Sequence, residues 1–145
     1  MPTSAISKIL LDGTRSEIGK VIASKPYEAM TLATSLLDKY PDSEEALVLA
    51  ARTALEAEAR HGKHVISSEL YERISKAREE RFFSPEIVSL GIASKILMGG
   101  VLDDRDIVEA KRAFAMGPGI TREIMDTAKK LMTAEEKTRI EKVAG

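Results

Sequence analysis

The chain has 145 residues, with 22 Lys and Arg against 23 Asp and Glu for a net charge of −1, so global charge gives no reason to expect nucleic acid or an anionic membrane as a partner. Hydrophobic residues make up 43% and charged residues 31%, the balance of one globular domain over 1–145 rather than a disordered chain. Aromatics reach only 4%, and Cys is absent, which disfavours a sandwich and excludes a disulfide framework, a thiolate metal site and a cysteine nucleophile.

Apolar residues recur at helical spacing throughout, and no segment shows sustained period-2 alternation. Ile6, Ile9 and Leu10 predict a short first helix ending at Asp12-Gly13. Thr14 and Glu17 form a capping-box pair for a second, which carries Ile18, Val21 and Ile22. Pro26 suits the first turn of a third helix, where its missing N–H has no partner anyway; Pro41 stops it. Ser43 predicts the cap of a fourth, Ala-rich helix running to Arg60, with Gly62 behind it. Ser67 or Ser68 opens a fifth, with Leu70, Ile74 and Ala77 in phase.

Ser84-Pro85-Glu86 combines a cap, a first-turn Pro and an acid at the positive end of a sixth helix, which ends at Gly99-Gly100. Asp103 or Asp104 caps a seventh, and Gly117-Pro118-Gly119 breaks it. An eighth begins at Thr121. Thr133 and Glu136 form a second capping box for a charged ninth. The expected fold is all-α: about nine helices joined by short connections, paired antiparallel after the first. Each pair buries its apolar face against the next.

Leu47, Ala50, Ala51 and Ala54 repeat the large-apolar-small pattern of Ile87, Leu90, Gly91 and Ser94. Ala29, Ala33, Leu36 and Pro41 follow a second-helix spacing. These positions resemble tetratricopeptide repeats. The two first-helix patterns lie 40 residues apart, against 34 in that family. The resemblance covers about half of the chain, and an irregular helical bundle is the alternative architecture. It implies a short right-handed superhelix whose first helices line a concave face that holds peptides or partner helices. Carried over to this chain, that face takes Glu45, Val48, Arg52, Leu55 and Glu56 from one helix and Val88, Ile92 and Lys95 from the other. Close approach of the partner helix then explains a glycine at Gly91.

Other constellations have simpler readings. Glu58, His61 and His64 lie three apart, but Gly62 interrupts the helix between the histidines, so a solvated helix end is expected rather than a metal site. The Gly-rich turns read as helix breaks, not phosphate cradles, because no strand precedes them. Asp103, Asp104 and Asp106 cluster where capping acids belong. Met98, Met116, Met125 and Met132 read as adaptable core filler.

No nucleophile, base and orienting acid come together, so neither an enzyme nor a cofactor is expected. The expected function is a non-enzymatic scaffold or adaptor that binds another protein or peptide. The alternative is a helical subunit of a nucleic-acid-handling complex, using Arg73, Lys76, Arg78 and Arg81, or Lys111, Arg112, Lys129 and Lys130. Interleaved acids at ion-pair spacing weigh against the first of these sets. No apolar run approaches the roughly 18 residues of a membrane span, and Met1-Pro2-Thr3-Ser4 does not begin a signal peptide, so a cytoplasmic location is expected.

Overall fold

The computed structural model describes residues 7–61, 68–80 and 83–144. They form eight α-helices: α1 Lys8–Val21, α2 Pro26–Lys39, α3 Glu44–His61, α4 Ser68–Glu80, α5 Pro85–Leu97, α6 Asp104–Met116, α7 Pro118–Lys129 and α8 Ala134–Ala144. No strand occurs among the described residues, and none of their helices is long and apolar enough to cross a membrane.

The first two expected helices are one. The Ser7 hydroxyl accepts from the Leu10 amide at 3.1 Å and starts α1, which continues through Asp12-Gly13. A glycine that ends a helix usually adopts positive φ, and Gly13 does not. Burial of Leu11 and Ile18 on one face offsets the roughly 1 kcal/mol that glycine costs in a helix interior. The predicted box at Thr14 therefore lies inside a helix.

The other start signals act largely as read. Pro26 and Pro85 occupy first turns. Ser43 accepts from Ala46 at 3.1 Å, and Ser84 from Ile87 at 3.3 Å. Asp103, not Asp104, caps α6 in a reciprocal box with Asp106. Thr133 and Glu136 make the expected box before α8. Gly62 and Ser67 lie outside the described residues.

One boundary moves. Helix α7 begins at Pro118 rather than Thr121, because Gly117 alone makes the corner and the proline fits the first turn. Thr121 is instead fully buried, and its hydroxyl donates to the Ala113 carbonyl at 3.1 Å, tying α7 to α6.

The helices pack in pairs around α5, which touches α3, α4, α6 and α7. Ten of its thirteen residues are buried, including Ile87, Leu90, Ile92 and Ile96. A helix apolar on every side must be enclosed on every side. Gly99 ends it at φ 86°, with Gly99 N–H donating to Ile96 C=O at 2.9 Å and Gly100 N–H to Lys95 C=O at 2.8 Å, a Schellman turn. Helix α7 also reaches back to α3, so the pairs curl around one shared core instead of touching only their neighbours in a row.

Gly91 is buried, as its small size suggests, but the helix that crowds it is α4. A Cβ at Gly91 would stand 3.3 Å from Arg78 Cδ and 3.5 Å from Ile74 Cγ2. The partner helix α6 supplies none of these atoms, which corrects the expectation that α5's own partner imposes the glycine.

Two outcomes are expected in thermal melts. Gly91→Leu should lose roughly 1–3 kcal/mol by overpacking α4, whereas Gly91→Ala should change little. In that variant the gain in helix propensity is opposed by a contact from which the Arg78 side chain must withdraw slightly. Gly99→Ala should lose about 1–2 kcal/mol, the price of a left-handed residue with a Cβ; an unchanged melt would refute the Schellman assignment.

Candidate functional site

Four helices meet at a groove of about 260 Å³. Helix α1 contributes Arg15, Ile18, Gly19 and the adjoining Ile22; α3 contributes Val48, Leu49, Arg52, Thr53 and Glu56; α5 and α7 contribute Glu86 and Glu123. Helical spacing explains the layout. Arg15, Ile18, Gly19 and Ile22 follow the three-and-four rhythm of a single face, as do Val48, Leu49, Arg52, Thr53 and Glu56. Ile18, Ile22, Val48 and Leu49 are buried side chains that floor the groove. Charged groups stand around them.

Arg52 organises the rim. It donates a short hydrogen bond to Glu123 and lies 3.8 Å from Glu86, so one guanidinium joins α3, α5 and α7. Glu56 pairs with Arg60 at 3.6 Å, and Arg15 with Asp12 at 3.6 Å. Gly19 leaves open space over the groove: a Cβ there would meet nothing within 4 Å. The arrangement offers an apolar floor with fixed charges of both signs, which suits a side chain or short segment of a partner.

Three of the eight expected partner-binding residues, Val48, Arg52 and Glu56, come together here. The others do not. Glu45 is exposed near the start of α3, where it accepts from the Ser43 hydroxyl at 3.4 Å. Leu55, Val88 and Ile92 are core side chains, 3%, 2% and 0% exposed. The expected open apolar strip is thus covered inside the bundle, where α3 and α5 each pack against several helices, α7 among them.

Sequence reasoning missed Ile18, Ile22, Leu49 and Glu123 as groove residues and read Glu86 only as a helix-start acid. The signal was weak, since Arg52 and Glu123 meet across 71 residues of chain.

Lys95 points to the other side of α5 and joins an ion network. Its ammonium donates to Asp106, whose carboxylate also accepts from the Asp103 amide at 3.0 Å. Arg78 Nη2 lies 2.9 Å from Asp106, a charge contact without hydrogen-bond alignment, while its Nε donates to Glu109 at 2.7 Å. Arg105 extends the network to Glu109 and Glu79.

Burial alone would raise the Asp106 carboxyl. The Lys95 hydrogen bond, the Asp103 amide and Arg78 outweigh it and hold the group below the usual carboxylate range. Glu109 is lowered in the same way, with Arg105 and Arg78 overcoming burial. The Asp106 hydrogen bond raises Lys95.

The first alternative basic set is divided between environments. Arg73 and Lys76 line a separate groove of about 250 Å³ with Pro41, Leu47 and Glu80, whereas Arg78 is committed to the ion network. Arg81 lies outside the described residues. Lys111 and Arg112 are exposed, and Arg112 sits 4.2 Å above the Phe83 ring. Glu58 is buried at 2% exposure, and His64 lies outside the described residues. Among the described residues no three His, Cys, Asp or Glu side chains stand close enough to hold a metal ion. Family models, curated proteins and solved structures were all compared with the chain, and none matches.

The network makes a pH prediction. Asp106 and Glu109 titrate lower folded than unfolded, so their contribution is complete above about pH 5 and is lost as pH falls through about 4 and below. Asp106→Asn should flatten that acid slope. At pH 7 it should lose roughly 3 kcal/mol, the low end for a broken buried pair, because Arg78 keeps Glu109 and Lys95 is partly exposed. Urea melts from pH 3 to 7 measure both effects; equal slopes for variant and wild type would remove Asp106 as the cause.

Proposed function

We propose that the protein is a non-enzymatic interaction module, a scaffold or adaptor that seats a peptide or partner helix in the α1–α3–α5–α7 groove. The observation that carries this reading is a solvent-open groove whose apolar floor is framed by Arg15, Arg52, Glu56, Glu86 and Glu123. An amphipathic segment matches such a surface, since it places aliphatic side chains on the floor and polar ones against the rim. The tetratricopeptide-like spacing at Leu47, Ala50, Ala51 and Ala54 supports the same class of function and points to the same helix, α3. The lack of cysteine suits work in the cytoplasm.

Two substitutions test the groove from different sides. Gly19→Leu fills it where a side chain meets no neighbour. Arg52→Glu reverses the charge at its centre while removing exposed ion pairs worth about 0–1 kcal/mol each. Partners captured by the full-length wild type from native extract should fall about tenfold or more in recovery with each folded variant, equivalent to about 1.4 kcal/mol. The same partner, purified, should show the same loss in titration. Identical partner profiles from wild type and both folded variants would overturn the reading.

A further inference from the structure

The rim of the α1–α3–α5–α7 groove is not evenly charged. Two of its charges are answered within their own helices: Arg15 by Asp12 on α1, and Glu56 by Arg60 on α3, each pair at 3.6 Å. What remains is one guanidinium and two carboxylates. Arg52 donates a hydrogen bond to Glu123 from one terminal nitrogen and holds the other 3.8 Å from Glu86, too far for a hydrogen bond. That contact is the only one the Glu86 carboxylate makes among the described residues. The α5–α7 wall therefore carries one carboxylate in excess, with acceptor capacity unused. The Glu86 and Glu123 side chains are 38% and 61% exposed, so a partner atom can reach both. Beside them the groove is aliphatic: Ile18, Val48 and Leu49 floor it, and Gly19 adds no side chain above.

Taking this groove as the binding surface, we propose that its occupant is a basic amphipathic segment of another protein, which sets a Lys or Arg over the groove. Such a side chain lays its aliphatic stem on apolar surface and keeps its cationic head at the edge. Here the stem lies on Ile18, Val48 and Leu49, and the head donates to Glu86 and Glu123. The segment's backbone passes over Gly19, where no Cβ stands in its way. An acidic residue in the same place meets Glu86 and Glu123 as like charges. A wholly apolar one takes water from the Glu86 carboxylate and returns no donor. Arg52 holds the two carboxylates side by side, so its reversal to Glu scatters the acceptors by repulsion instead of adding a third. Charge complementarity of this kind sets which partner is accepted more than how tightly it binds.

A library of helical peptides displayed on phage, selected on the full-length wild type and counter-selected on folded Gly19→Leu, tests this. Peptides that need the open groove should share a Lys or Arg with aliphatic residues three and four positions away. In fluorescence titrations of the synthetic consensus peptide, replacing that Lys or Arg with Met should weaken binding to wild type about tenfold. Against the folded double variant Glu86→Gln with Glu123→Gln, the same peptide change should matter less than about twofold, because the charged acceptors are gone. Groove-dependent peptides that are acidic or uncharged would overturn the basic partner and leave the groove standing as the binding surface. Equal losses on the two proteins would do the same, since the cation would then sit elsewhere. If no selected peptide depends on the groove, the binding surface itself is wrong and the basic partner falls with it.

Discussion

The architecture depends on enclosing α5. Its sequence, P-E-I-V-S-L-G-I-A-S-K-I-L, has no polar face wide enough to meet water. Burying a Leu or Ile side chain contributes about 1.5–3 kcal/mol, so a helix with Ile87, Val88, Leu90, Ile92, Ile96 and Leu97 is stable only when surrounded. Helices α3, α4, α6 and α7 supply that enclosure. Gly91 then has a reason: α4 lies against the α5 backbone there, close enough that Arg78 and Ile74 occupy the space of a side chain. The small polar residues follow the same logic, since Ser89 is buried but returns its hydroxyl proton to the Pro85 carbonyl at 2.6 Å.

The one basic side chain of this helix, Lys95 in its last turn, needs a partner, and Asp106 provides it. Asp106 has two tasks: it closes the capping box of α6 and accepts Lys95 from α5. Arg78 adds α4 to the same cluster. Three helices are thereby fixed in register by groups that cannot be left alone in a partly buried site without a large desolvation penalty. Removing one member of such a network costs more than the network adds to stability, because it leaves a partly buried charge uncompensated. The network confines each charged group to one arrangement, whereas apolar contacts tolerate several.

The opposite side of the core is closed more lightly. Arg52 bridges α3 to α5 and α7 through Glu86 and Glu123, yet all three side chains keep contact with solvent. Exposed pairs of this kind add about 0–1 kcal/mol each, so they organise a surface without locking it. A groove with a rim that can exchange partners is better suited to recognition than the rigid network around Asp106. The same helix α1 that walls this groove presents Ile9, Gly13 and Glu17 on another face. Long amphipathic helices at the end of a bundle cover the core with one face only, and the remainder of their surface is free to face other molecules.

The helical class, most helix starts and much of the core could be read from the sequence, because they rest on local chemistry. A Ser or Asp with free oxygens, a Pro without an N–H and apolar residues at steps of three and four act within one or two turns. Ser43, Ser84, Asp103 and Thr133 cap as their neighbours dictate. Local signals misled where a tertiary gain outweighed them. Gly13 looked like a helix end, but burial of Leu11 and Ile18 carries α1 through it. Thr121 looked like a helix start, but the proline three residues earlier fits the first turn and the threonine is drawn into a buried bond to Ala113.

The candidate site was only partly legible for a related reason. Periodicity shows that Val48, Leu55, Val88 and Ile92 are apolar and in phase, not which of them another helix covers. That was decided by how the helices close around α3 and α5, α7 folding back on α3 where Arg52 meets Glu123, 71 residues away. Sequence alone determined which faces must be buried. Tertiary packing determined what buries them, and so left Arg52 and Glu56 of those faces on the rim of a groove with Val48 buried at its floor.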